Sequence, residues 1–280
     1  MKPSPEARRP RRAVCILHLA FCIALISCAP KAPITLPSDP GTPFPDFAAV
    51  HAKLSTACAG VRNLQMEMRL SGSAGDEKLG GTVFAGFERP ASMRLEGVPP
   101  IGGAVFILAA RGGSATLLMT RSREIIRDAP PEAILEAMTG VALAPGDLLS
   151  VLTGCVLPDA KPISGTLHQG NRAAIEIETA AQPGAVRPTA TLFLRQARGE
   201  WQLEVARRDR WQVEYTYGAG QFPQSVRLIS TTPRVNLRAA LSQFEVNTGI
   251  DQAAFAVVEP KDVTTFTIDD LRRAGPLRGQ

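Results

Sequence analysis

From Val61 to Asn247 the chain alternates apolar and polar side chains with a period of two, in one run after another separated by turn residues. In the first run Leu64, Met66, Met68 and Leu70 alternate with Gln65, Glu67 and Arg69, which makes a strand with one dry and one wet face. Ser71 to Lys78 reads as a hairpin turn. Runs over 79–88, 91–98, 104–110 and 115–120 follow, broken by Arg89-Pro90, by Pro99-Pro100-Ile101-Gly102-Gly103 and by Arg111-Gly112-Gly113. A second series covers 163–167, 173–179, 190–196, 201–207, 211–217, 225–230, 235–240 and 242–247. About twelve or thirteen strands in one domain are enough for a sheet to curl strongly on itself. Only 5% of the residues are aromatic, so the core of that sheet must be aliphatic.

Three helical patterns accompany the strands. Asp46 is placed to cap a helix from Phe47 to about Cys58, whose apolar stripe is Phe47, Val50, Leu54 and Cys58. His51 and Lys53 lie off the stripe and read as solvated. Two shorter helices share one grammar: Pro131 and Glu132 open the first and Gly140 closes it, then Pro145 and Asp147 open the second and Gly154 closes it. Their apolar residues, Ile134, Leu135, Met138, Leu148, Leu149, Val151 and Leu152, exceed what a surface helix needs. Either they form a plug or lid over the sheet, or they simply complete its core. Residues 259–280 read as a loop with a frayed helical turn.

The N-terminus carries a different signal. Lys2, Arg8, Arg9, Arg11 and Arg12 precede an apolar run from Ala13 to Ile26 that is too short for a permanent membrane span. The run ends in Leu25-Ile26-Ser27-Cys28, which has the form of a bacterial lipobox, so residues 1–27 are an expected export signal and Cys28 the lipidated first residue of the mature chain. Ala29, where an aspartate would retain such a protein at the inner membrane, favours release to the outer membrane. Removing 1–27 takes away 5 of 31 basic and 1 of 26 acidic side chains, leaving 26 and 25. The net charge of +5 thus belongs mainly to the signal, and a nucleic-acid partner loses its main support. Residues 28–45, with six prolines after Cys28, form an expected extended tether to a domain over 46–258.

The mature chain shows no catalytic or metal constellation. His51 and His168 have no ligand spacing to Cys58 or Cys155. No nucleophile elbow or phosphate-cradling loop occurs. Glu176 and Glu178 lie on the wet face of a strand, and Arg207-Arg208-Asp209-Arg210 is a turn of mixed charge. Trp201, Trp211, Tyr215 and Tyr217 fit strand packing. Cys58 and Cys155 permit one disulfide, provided their Cα atoms come within ~4.4–6.8 Å. Ile101, bracketed by Pro100 and Gly102, projects as an apolar tip.

The order of these features resembles the LolB family of outer-membrane lipoprotein receptors over roughly residues 45–248. Pro100-Ile101-Gly102 matches that family's protruding Pro-Leu-Gly loop. Leu135-Glu136-Ala137-Met138-Thr139-Gly140 ends the first lid helix, Leu148–Leu152 falls in the second, and Gly154-Cys155-Val156-Leu157-Pro158 forms the exit. The resemblance implies a single, strongly curved, incomplete antiparallel β-barrel with an N-terminal helix and two short helices as plug or lid. Leu64, Met66, Met68, Ile134, Leu135, Met138, Leu148, Leu149 and Leu152 would then line its cavity or lid, and Pro100, Ile101 and Gly102 would insert into the membrane. It further implies no cofactor beyond the lipid on Cys28, and a monomer that takes lipoprotein cargo from a soluble LolA-like carrier and inserts it in the outer membrane. The alternative is an envelope lipoprotein of the same fold that senses lipid or acts as a scaffold without inserting anything.

Overall fold

The computed structural model describes residues 34–99, 101–155, 160–178, 189–275 and 277, and the compact unit begins at Pro37. Cys28, the signal 1–27 and Pro100 lie outside the described residues.

Alternation becomes sheet in two meanders. A two-residue strand, β1 (Thr42–Pro43), comes first, then β2 (Asn63–Ala74), β3 (Glu77–Glu88), β4 (Ser92–Val98), β5 (Phe106–Arg111), β6 (Ser114–Met119) and β7 (Glu124–Ala129). The second meander holds β8 (Lys161–His168), β9 (Arg172–Glu178), β10 (Thr189–Ala197), β11 (Glu200–Arg208), β12 (Trp211–Tyr217), β13 (Pro223–Thr231) and β14 (Arg234–Val246), and β15 (Thr264–Thr265) ends the series. The two meanders join where β14 lies antiparallel to β2. The result is one curved, open sheet of fifteen strands in the order β1-β8-β9-β10-β11-β12-β13-β14-β2-β3-β4-β5-β6-β7-β15, not closed into a barrel. Neighbours are antiparallel except β15, which runs parallel to β7. Tight turns hold the register: the hairpin between β2 and β3 narrows to Gly75-Asp76, and the one between β10 and β11 to Arg198-Gly199, both with positive φ (54° and 81°).

Four α-helices accompany the sheet among the described residues: α1 (Phe47–Ala59), α2 (Pro131–Thr139), α3 (Pro145–Thr153) and α4 (Ile268–Ala274). None of them is long and apolar enough to cross a membrane. Helices α2 and α3 begin on the expected prolines and stop on Gly140 and Gly154, both left-handed (φ 75° and 68°). Cys58, at the end of α1, is disulfide-bonded to Cys155, just beyond α3, with Cα atoms 5.2 Å apart.

Several expectations change. Asp46 occupies the cap position of α1, but its side chain makes no cap hydrogen bond. The expected strands 235–240 and 242–247 are one strand, β14 (Arg234–Val246), with a register shift between Ser242 and Glu245. Strand β7 has no strict alternation, because Ile125 and Ile126 are both buried and Asp128 has positive φ. The tether ends earlier than expected: Thr42 and Pro43 pair with β8, and Phe44 is buried against Trp201, their rings 5.4 Å apart. Residues 259–275 and Leu277 are docked rather than frayed. Arg127 pairs with Glu259, and the Phe266 amide donates to the Ile125 carbonyl at 3.1 Å. A capping box between Thr267 and Asp270 starts α4, and Leu271 is fully buried.

His51 is also buried, at 4% exposure, where a solvated side chain was expected, and its Nε2 has no hydrogen-bond partner among the described residues. Burial pushes its pKa below 6.5. The unfolded chain therefore binds more protons than the folded one between the two values. The stabilisation is fully present above that ordinary value and is lost as pH falls towards the folded pKa. In urea unfolding, the midpoint of the native chain should drop more steeply between about pH 8 and pH 5 than that of His51→Leu. Parallel midpoints would rule out this contribution.

Candidate functional site

The sheet register sets apolar side chains in rows across its concave face. One row runs Tyr215, Val226, Ala239, Leu70 from β12 to β2. The next runs Val213, Leu228, Leu237. A third runs Leu241, Met68, Val83, Gly97, Phe106 from β14 to β5. The Phe106 ring lies over Gly97, where any Cβ would run into it. A glycine here lets a large ring fold down onto the sheet.

Helices α2 and α3 cover these rows, and a cavity of about 120 Å³ remains between them and the sheet. Its sheet wall includes Met68, Leu70, Val83, Leu95, Val226 and Leu237. Its roof is Leu135 and Met138 of α2, Leu148, Val151 and Leu152 of α3, and Val141 and Leu143 between the helices. Among the described residues Thr139 is the one polar residue in the lining, and its hydroxyl donates to the Leu135 carbonyl at 2.7 Å. The space therefore offers a ligand dispersion contacts and water exclusion, with nothing to orient a polar group.

Beside it lies an open groove of about 660 Å³ over β9 to β13. Its floor includes Ile177, Leu192, Leu203 and Tyr215, and burial pushes the Tyr215 phenol well above its ordinary pKa, so it stays neutral. Val141, Leu143, Val151 and Leu228 line both spaces and divide them. The groove's lip carries Arg207, Arg208, Asp209 and Arg210, all exposed, opposite Glu136 and Asp147. The two signs are interspersed there, so the lip presents no uniform field.

The nine residues expected to line a cavity or lid divide into two sets. Met68, Leu135, Met138, Leu148 and Leu152 face the cavity. Leu64, Met66, Ile134 and Leu149 are buried in the core around it. Leu277, Val226 and Leu237 also face the cavity without having been singled out. Ile101 is 89% exposed at the tip between β4 and β5, next to Gly102 with φ 106° and open space around it. Glu176 is exposed and accepts a hydrogen bond from Ser164 at 3.0 Å. Among the described residues no three His, Cys, Asp or Glu side chains gather as metal ligands.

Several solved structures are similar to this chain at low sequence identity. One is a LolA superfamily protein from Nitrosomonas europaea, 12% identical over 73% of this chain and 96% of that one, with a TM-score of 0.49. A DUF1329 family protein from Desulfovibrio piger is 11% identical over 75% and 97%, with a TM-score of 0.48. The lipoprotein LppX of Mycobacterium tuberculosis is 16% identical over 74% and 99%, with a TM-score of 0.29. No family profile matches the chain, and no curated protein sequence does.

Proposed function

We propose that this is an envelope lipoprotein, anchored by lipid on Cys28 to the periplasmic face of the outer membrane. Its concave face holds the acyl chains of other lipoproteins, delivered by a soluble LolA-like carrier, and it helps insert them in that membrane. The observation that carries the reading is the apolar lining shared by the cavity and its neighbouring groove, beneath a roof of two short helices. Hydrocarbon is the ligand such a lining recognises, because each buried methylene contributes about 0.8 kcal/mol and no polar partner is needed. Native mass spectrometry of a soluble Cys28→Ala form should find copurified acyl lipid. Lipid-free protein that also ignores a dansyl-labelled fatty acid would sink the reading.

The exposed tip has a separate role in this scheme. An acyl chain on Cys28 buries many methylenes at about 0.8 kcal/mol each, against about 1.5–3 kcal/mol for a whole isoleucine side chain. Ile101 is therefore superfluous as an anchor and acts when cargo is handed to the bilayer. In the soluble form, Ile101→Glu should fold and bind acyl chains as the native chain does, yet fail to insert lipoprotein into outer-membrane vesicles. Insertion at the native rate would refute that role.

A further inference from the structure

One part of the cavity wall comes from the C-terminal tail. Leu277, only 4% exposed, forms part of its lining beside Met68, Val83 and Met138. The main chain at that point is held as well: the Gly80 amide of β3 donates to the Leu277 carbonyl at 2.9 Å. The segment arrives there by a fixed route. Strand β15 pairs with β7, Thr267 caps α4, and Leu271 buries itself where α4 packs on α2. Gly275 in the left-handed conformation (φ 51°) then ends the helix.

Two properties of this arrangement bear on ligand entry. The volume of about 120 Å³ is well below the ~300 Å³ at which small-molecule sites begin, so an acyl chain needs more room than the cavity has with Leu277 in place. Among the described residues, what holds the end of the segment in place is one leucine side chain and the Gly80 hydrogen bond, beyond a left-handed glycine. The rest of the tail is stapled more firmly, by Leu271, Phe266 and the pair Arg127–Glu259.

We propose that Leu277 fills, in cis, the end of the hydrocarbon site, and that a single unbranched acyl chain enters by displacing Leu277 from β3. This rests on the hydrocarbon-carrier reading above. The tail thus acts as a tethered competitor: it keeps an apolar cavity covered between cargoes and leaves when a longer chain offers more buried surface.

The test uses the soluble Cys28→Ala chain and dansylundecanoic acid as the probe. Leu277→Ala should bind the probe about tenfold more tightly than the parent, because one leucine side chain no longer has to be expelled. Leu277→Met, which keeps an apolar plug, should bind like the parent. A chain ending at Ala274 should bind at least as tightly as Leu277→Ala. In the parent, saturating probe should speed hydrogen exchange at the Gly80 amide while leaving the Gly140 amide, bonded to Glu136 within the α2 cap, unchanged. Equal or weaker binding by Leu277→Ala, or an unaltered Gly80 amide in a chain that binds the probe, overturns the plug and leaves the carrier reading standing. Failure of every variant to bind the probe overturns both.

Discussion

Replacing Cys58 and Cys155 together with serine should lower the unfolding free energy by roughly 4–5 kcal/mol, the value chain entropy assigns to a closed loop of about 100 residues. The two cysteines are 97 residues apart, and the loop they close contains the whole of β2 to β7 with α2 and α3. Without the bridge the denatured chain regains that freedom, and α3 loses its attachment to α1. Guanidinium unfolding with and without a thiol reductant checks this. The native chain should shift on reduction, and the double variant should not. A shift below about 1 kcal/mol would mean that packing alone holds the two helices and that the loop-entropy account fails here. Because the bridge fixes the C-terminal end of α3, motion of that helix should be largest at its Ala144–Gly146 end, where the cap residue has no side-chain hydrogen bond.

Filling the cavity should weaken the binding of a fatty-acid probe about a hundredfold while sparing the fold. Ala239, between Val226 and Leu70 in one row of the concave face, is the smallest side chain in the lining. Ala239→Phe adds a ring to a space of about 120 Å³ and removes room for roughly four methylenes. At about 0.8 kcal/mol each this amounts to about 3 kcal/mol, a loss of about a hundredfold in affinity for a fatty-acid probe. Stability should change by less than the ~1–3 kcal/mol typical of overpacking a full core, because the added atoms enter empty space. Native affinity in a folded Ala239→Phe protein would place the hydrocarbon elsewhere, with the open groove over β9 to β13 the next surface to probe.

The parts of this fold that sequence makes legible are those governed by local chemistry. Period-two alternation marks most of the strands, and the prolines and glycines around α2 and α3 mark where those helices begin and end. Strand β7 is hidden because its two adjacent isoleucines face different buried surroundings, which breaks the period. The docking of the C-terminal tail is hidden for another reason: Leu271 and Leu277 are single apolar residues whose partners on α2 and β3 lie far away in the chain. His51 is misread because its polarity hides its place: it stands four residues after Phe47 and three before Leu54, on the one face that α1 buries, while Ala48, Ala49, Ala52 and Lys53 are exposed. The site is legible to the same extent. Spacing says that Leu64 and Met68 share a dry face, but only the packed helices decide that Met68 meets a void and Leu64 meets solid core.

The two free edges of the sheet carry a consequence for how this protein meets others. An open β-sheet ordinarily leaves a row of unpaired backbone groups on each outer strand, ready to accept a strand from another chain. Here each edge is finished in part from within: β1 lies along β8 at Thr166 and Leu167, and β15 lies along β7 at Glu124 and Ile125. The stretches they leave bare hold Lys161 and Pro162 beside a register shift on one side, and Arg127 and Asp128 with its left-handed backbone on the other. Charge, proline and local distortion each discourage strand pairing. A partner protein should therefore be met through loops and side-chain faces, and the backbone ladder of this sheet should end where its own chain ends it.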